Sequence, residues 1–197
     1  MRPQLLLIGG GGHCAACIDV IELEGKFQIG GVVDVNPDAG QMLGYPVLGG
    51  DDRLGELRAQ YSHALITIGQ IKSTSARIRL WERLESLGYV LPTIFSPRAY
   101  VAKSATVGAG TIVMHDALIN ANAKVGRNCI INTKALIEHD SVVGDNCHIS
   151  TAAVINGGVV VGQGTFVGSN AVTKQYAKTR ENDFIKAGAL FTGYINE

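Results

Sequence analysis

Three short stretches hold residue types that could do chemistry. In Ile137-Glu138-His139-Asp140-Ser141-Val142 an imidazole stands between two carboxylates. A histidine so placed can accept a proton from an attacking group, and an adjacent acid orients the ring and stabilises its charged form. Asp140 is the expected orienting acid, with Glu138 as the alternative. In Gly10-x-Gly12-x-x-Ala15, with Asp34 about twenty residues on, glycines let backbone N–H groups and a helix N-terminus face a phosphate. No second mononucleotide half follows, so what remains is half a dinucleotide site, as a nucleotide sugar would need. A tight turn without a ligand is the alternative. Cys14 and Cys17 form a C-x-x-C that invites a redox reading, but the surrounding helical spacing favours two buried residues.

These groups need elements to position them. Val101 to Val172 divides into twelve six-residue units without insertion, each beginning with Val or Ile and carrying a small residue or one Val in fifth place. A period of six is neither helix nor ordinary strand. It fits a β-coil in which each hexad is a short strand plus a corner, three hexads close a turn, and coils stack at the ~4.8 Å strand spacing. First-place aliphatics then fill the prism, and small fifth places let the chain round each corner. A purely structural solenoid would not need the irregular polar residues.

Stacking sets two glycines against the first of these stretches. Eighteen residues beyond His139 and Asp140 lie Gly157 and Gly158, so the coil above the imidazole carries no side chain there. Such a dent would admit a ligand, whose carbonyl oxygen could meet the Gly157 N–H. The alternative is that the glycines merely relax a corner. By the same register Cys129 and Cys147 stack, read as reduced small core residues with a disulfide as the alternative. His115 and His139 both take the third place of their hexads but lie four hexads apart and so on different corners, and His148 takes a sixth place, so the three do not converge and no metal is expected.

Before the repeat, Gln4 to Ile8, Phe27 to Val33 and His63 to Ile68 read as strands, and His13 to Leu23 and Ser73 to Ser86 as helices. Asp52 to Arg58 reads as a weak helix, and Asn36, Pro37, Asp38 and Gly40 as breakers. This predicts residues 1–95 as a βαβαβ α/β unit, a Rossmann-like half domain. Ser96-Pro97-Arg98 is the expected hinge, and residues 96–197 form the all-β solenoid domain. After Val172 the pattern lapses into TKQYAKTREND, which predicts a loop after four coils and a closing segment from Phe184 on as a cap.

With 46% hydrophobic residues and zero net charge, the chain is of ordinary globular composition, which gives no support to nucleic acid or an anionic membrane as partner. Four aliphatics before the glycines are too few for a signal-peptide core, and no run reaches membrane-spanning length, so a cytoplasmic location without membrane insertion is expected.

The glycine turn followed by His13, the Ile68-Gly69 pair closing the third strand, and the hexapeptide helix together resemble the PglD/NeuD-type sugar acyltransferases over nearly the whole chain. The resemblance implies a left-handed parallel β-helix, a hand that the period does not determine. It implies acetyl-CoA as co-substrate and transfer of acetyl to the amino group of a nucleotide-linked amino sugar, such as a UDP-4-amino-4,6-dideoxy sugar, in surface-glycan biosynthesis. Gly10, Gly11, Gly12 and His13 would line the pyrophosphate and sugar, with Asp34, Ile68 and Gly69 near the nucleoside. The family's catalytic histidine stands in a motif like Ile137-Glu138-His139-Asp140, and its glycine at the place of Gly157 meets the thioester. Asn132, His148, Gly157 and Gly158 would serve the acetyl-CoA side, in an active site shared between subunits of a homotrimer. Sugar O-acetylation, on a sialic acid for example, and a non-catalytic nucleotide-sugar scaffold are the alternatives.

Overall fold

The structure is a computed structural model that describes residues 2–36 and 40–194. The expected breakers Pro37 and Asp38, and the last three residues of the expected cap, lie outside them. Strand β1 (Gln4–Ile8) is central in a three-stranded parallel sheet, between β2 (Gln28–Val33) and a third strand at His63–Ile66. Its alternation decides the layers. Leu5 and Leu7 face helix α1 (Gly12–Glu24), while Leu6 and Ile8 face Leu54, Leu57 and Leu84 on the opposite side. The chain between runs through a hairpin of β3 (Gln41–Met42) and β4 (Tyr45–Pro46) and a turn of 3-10 helix at Asp51–Arg53. Helix α2 (Leu54–Leu57) then leads to β5, the strand at His63–Ile66. Helix α3 (Ser75–Ser86) completes the α/β unit.

From Ile94–Phe95 to Leu190–Phe191 the chain forms two-residue strands in three parallel sheets, the faces of a triangular prism. The first face carries Ile94, Ile112, Ile130, His148, Phe166 and Phe184 outward; the second includes Leu136–Ile137 and Val154–Ile155; the third includes Val142–Val143 and Val160–Val161. Pairing joins residues one coil apart, as Leu118 to Leu136. First-place Val125, Ile137 and Ile155 fill the interior, together with fifth-place Ala123, Cys129 and Ala153. The corner itself comes from the fourth place, where Asp116, Asn122, Asn128, Asp140 and Asn146 have φ between 53° and 60°. Asn and Asp tolerate this left-handed backbone best among residues with a side chain. The small fifth residue is buried behind the turn rather than making it.

Two expectations about the solenoid's extent change. Ser96-Pro97-Arg98 is no hinge: Ile94–Phe95 already pairs with Ile112–Val113, and these residues form the first corner. The expected loop at TKQYAKTREND is a fifth coil. Val172 pairs with Leu190, Lys178 bridges to Val160, and Phe184–Ile185 pairs with Phe166–Val167. Here two inward first places are filled by Thr173 and Thr179 in strand phase, which an apolar pattern cannot register. Each hydroxyl accepts a corner amide, Thr173 Oγ1 from Asn156 N at 2.9 Å and Thr179 Oγ1 from Gly162 N at 2.8 Å. A buried hydroxyl so satisfied is tolerated where a bare one is not.

The α/β unit sits on the first face. Cys14, Cys17, Ile18 and Ile21 of α1 pack against Ile94, Ile112, Met114 and Ile130. Across the seam, the fully buried Arg77 of α3 donates to the carbonyls of Ile66 and Ile68 at 3.1 and 2.8 Å and to Asn128 O and Oδ1 at 3.0 and 2.6 Å. All four cysteines are free, with Cys147 N 3.4 Å from Cys129 Sγ in the stacked column.

Candidate active site

His139 lies on the corner between the second and third faces, with its side chain half exposed. Its Nδ1 is 2.9 Å from Asp140 Oδ2, and Asn122 Nδ2, one coil below, donates to Asp140 Oδ1 at 3.1 Å. The bond from His139, then that from Asn122, holds the Asp140 carboxyl below its ordinary pKa, so it is ionised near neutrality. A carboxylate only accepts, so the ring donates from Nδ1 and its lone pair is left on Nε2. Glu138 does other work: Oε2 accepts from Asn120 Nδ2 at 2.8 Å and from His139 N at 3.2 Å. Of the two carboxylates, Asp140 is the one on the ring.

The free ring edge packs over Gly157. A Cβ there would stand 2.8 Å from both Cε1 and Nε2 of His139, so only glycine allows the approach. In the corners below, Asn120, Asn132 and Glu138 use a side-chain oxygen to accept the N–H of the next residue, at 2.7, 2.8 and 3.2 Å. Asn156 instead donates its amide to Thr173 O at 2.6 Å, and among the described residues nothing accepts the Gly157 N–H. The Gly158 N–H is taken by His139 O at 3.0 Å. One donor therefore stands open beside Nε2. The expected dent is half filled: the Tyr176 ring of the fifth coil lies over Gly158, 2.4 Å from where a Cβ would be.

The other candidate histidines lie elsewhere. His148 is on the first face, buried against the α/β unit, with Nδ1 2.6 Å from Gln70 O and Nε2 3.1 Å from Asn132 Nδ2. The carbonyl requires an Nδ1–H and the amide a bare Nε2, which together describe one neutral tautomer. Burial pulls its pKa down to about 4, against the Gln70 carbonyl and with help from Arg77. His13, in the first turn of α1, is pulled to about 3 by burial, then by the Arg77 and His148 charges. Its Cβ is 3.9 Å from the Cβ position at Gly69. His115 bridges Ser96 Oγ and Asp19 Oδ2, each at 2.6 Å.

The glycine turn is open where a ligand would approach. No atom lies within 4 Å of a Cβ built on Gly11 or Gly12, and the first-turn N–H groups of α1 face that space. Gly10 N is already used, donating to Asp34 Oδ2 at 2.5 Å, while Asp34 Oδ1 accepts from Asn36 N at 2.8 Å. Gly9 has φ +108°, and a Cβ on it would be 2.2 Å from Ile68 Cγ2. Beyond the turn a cavity of about 550 Å³ opens between the strand ends and α3, and Asp34 and Ile68 line it.

Within one chain the sequence-derived residues thus form two groups. Gly10, Gly11, Gly12, His13, Asp34, Ile68, Gly69, Asn132 and His148 gather along the α/β unit and its seam with the first face. Glu138, His139, Asp140, Gly157 and Gly158 gather at a different corner, and the fold does not bring the two together. Asn120 and Asn122, one coil below Glu138 and Asp140, are site residues that the sequence reading lacks, and the eighteen-residue register is the signal that points to them. Arg77 carried no sequence signal, since one arginine in an amphipathic helix reads as surface.

Residues 4–84 match the family of the PglD N-terminal domain. A histidine mutant of perosamine N-acetyltransferase from Caulobacter crescentus, in complex with CoA and GDP-perosamine, superposes with a TM-score of 0.92 at 30% identity, covering 98% of this chain and 90% of that one. The acetyltransferase domain of PglB from Neisseria gonorrhoeae gives a TM-score of 0.89 at 26% identity, covering 100% of this chain and 94% of that one. Its complex with acetyl coenzyme A gives 0.86 at 26%, over 97% and 93%. No curated protein sequence matches.

Proposed function

We infer the reaction from one premise: this chain belongs to the PglD-type sugar acyltransferases. It is an acetyl-CoA-dependent nucleotide-sugar acetyltransferase, and we propose that the acceptor is the amino group of the sugar. CoA and GDP-perosamine in the Caulobacter crescentus enzyme support both ligands. The observation on this chain that carries the reading is the orientation of His139, with Asp140 on Nδ1 and a bare Nε2 beside the unpaired N–H of Gly157.

That arrangement supplies what acyl transfer needs. The sugar nitrogen attacks the thioester carbonyl as Nε2 takes its proton, and the carbonyl oxygen gains charge facing the Gly157 N–H. The C–S bond then breaks, and the imidazolium returns the proton to the leaving thiolate. Asp140 stabilises the imidazolium in between. The glycine turn and first turn of α1 hold the diphosphate. His13, neutral by burial, serves as a hydrogen-bonding group for the sugar, and His148, neutral likewise with both ring nitrogens engaged by Gln70 and Asn132, fixes Asn132 beside the acetyl end rather than acting as a base. Residues 1–95 act as the nucleotide-sugar domain and 96–197 as the acetyl-CoA domain. The two groups of site residues meet across subunits of a homotrimer, each His139 working on a sugar held by its neighbour.

Thiol release and product mass tell whether this holds. A panel of nucleotide-linked amino sugars, the free sugars and sialic acid, each with acetyl-CoA, should give thiol and an N-acetylated product only with a nucleotide-linked amine. Release with sialic acid alone would place the acetyl on oxygen. For the shared site, His139→Ala and His148→Ala chains are each nearly inactive, and coexpressed they recover a substantial part of wild-type turnover. No recovery in a verified mixed trimer overturns the shared site.

A further inference from the structure

The cavity beside the glycine turn has two unlike walls. Ile8, Ile68 and Leu80 give it an apolar surface on which a flat ring can lie. Asp51, Arg79 and Arg83 give it a polar rim, the arginines sharing with Leu80 one side of α3. Asp34 also lines the cavity, but both its oxygens are occupied by backbone amides. Asp51 differs. Burial and the neighbouring Asp34 and Asp52 charges raise its pKa, Arg79 opposes them, and no described residue hydrogen-bonds it. A carboxylate without a donor of its own, beside two like charges, gains from a ligand that brings it donors.

We propose that this cavity selects guanine, with Asp51 accepting from the N1–H and N2 amino group and Arg79 donating to O6 and N7. The inference rests on the nucleotide-sugar reading and names its nucleoside, departing from the uridine nucleotide that the family resemblance offers. The choice follows from the edges of the bases. Guanine alone presents two parallel donors to a carboxylate, next to the two acceptors an arginine takes as a pair. Uracil and thymine present one N–H between two carbonyls, so a carboxylate there meets two repulsions. Adenine and cytosine each set one amino group beside a bare ring nitrogen. A volume of about 550 Å³ also has room for a purine with its ribose.

Calorimetric titration of the full chain with GDP, UDP, dTDP, ADP and XDP tests this. Wild type should bind GDP about tenfold or more tighter than UDP, dTDP or ADP. Asp51→Asn should lose that preference and bind XDP better than GDP, because the amide matches the N1–H and O2 of xanthine. Arg79→Gln should weaken GDP by about tenfold and UDP far less. Circular dichroism verifies that each variant is folded. Equal or tighter binding of UDP, dTDP or ADP by wild type, or an Asp51→Asn chain that keeps the GDP preference, overturns the guanine assignment while leaving the nucleotide site in place. Acetyl-CoA binding without binding of any nucleoside diphosphate overturns both.

Discussion

The corner at His139 and the seam at His148 both hold a histidine with a hydrogen-bonded ring, and the surroundings send the two in opposite directions. His139 is half exposed and leans on the Asp140 carboxylate, a partner suited to a ring that would carry a proton in the proposed reaction. His148 is buried and shares its surroundings with Arg77, so the charged form is suppressed even though Nδ1 bonds the Gln70 carbonyl. The partner at Nδ1 and the access of water decide the role; residue type does not. In the reaction proposed above, proton transfer belongs to the corner and fixed hydrogen bonding to the seam.

The hardest blow to that contrast would be a corner that does not matter. His139→Ala should lower turnover at pH 7 by ~10²–10⁴-fold while circular dichroism stays unchanged. The loss should shrink as pH rises, because an amine acceptor then loses its proton unaided. A pH profile of turnover for variant and wild type measures both, and a variant within about threefold of wild type at pH 7 would remove the base from the corner.

Gly157→Val tests the neighbouring donor. A branched side chain would displace an imidazole that stands 2.8 Å from the Cβ position. Val keeps the backbone N–H but displaces the ring and covers that donor, so turnover should fall by about 10²-fold, the lower range for losing a positioned base, and acetyl-CoA should bind more weakly. Unchanged kinetics in a folded variant would mean that neither the close approach nor the open N–H serves the reaction.

The two carboxylates sharpen the comparison further. Asp140→Asn should cost more turnover than Glu138→Gln, because only Asp140 touches the ring; a loss of about tenfold or more for the former is expected. Equal losses would return the orienting role to Glu138.

The smallest effect is on stability. His13 and His148 have pKa values of about 3 and about 4 when folded and an ordinary value near 6.5 when unfolded, so below pH 6.5 the unfolded chain binds the extra protons. Stability should therefore be full above pH 6.5 and fall toward pH 4, by about 1 kcal/mol per pH unit for each histidine. Urea denaturation of wild type and His148→Gln at pH 7 and pH 5 measures this. The variant should be less stable at pH 7 and lose less between the two values; parallel losses would mean that the seam does not hold His148 neutral.

The strict hexad was enough to read the solenoid, its stacking and the placing of Gly157 over His139, because a rigid period converts residue number into position. The same period let Cys129 fall on Cys147 and Asn120 on Glu138. It failed at Thr173 and Thr179, polar residues at inward first places whose hydroxyls accept corner amides. It also misassigned the corners, since backbone handedness lies in the Asn and Asp of the fourth place and not in apparent smallness. What only tertiary structure decided are contacts between segments with no common period. These include Arg77 reaching Asn128, Gln70 capping His148, Asp51 drawn up to Asp34 and Arg79, and the separation of His139 from His148 onto different sides of the prism. Burial and facing partners arise when an α/β unit and a solenoid pack together, and neither is written in the local pattern of either one.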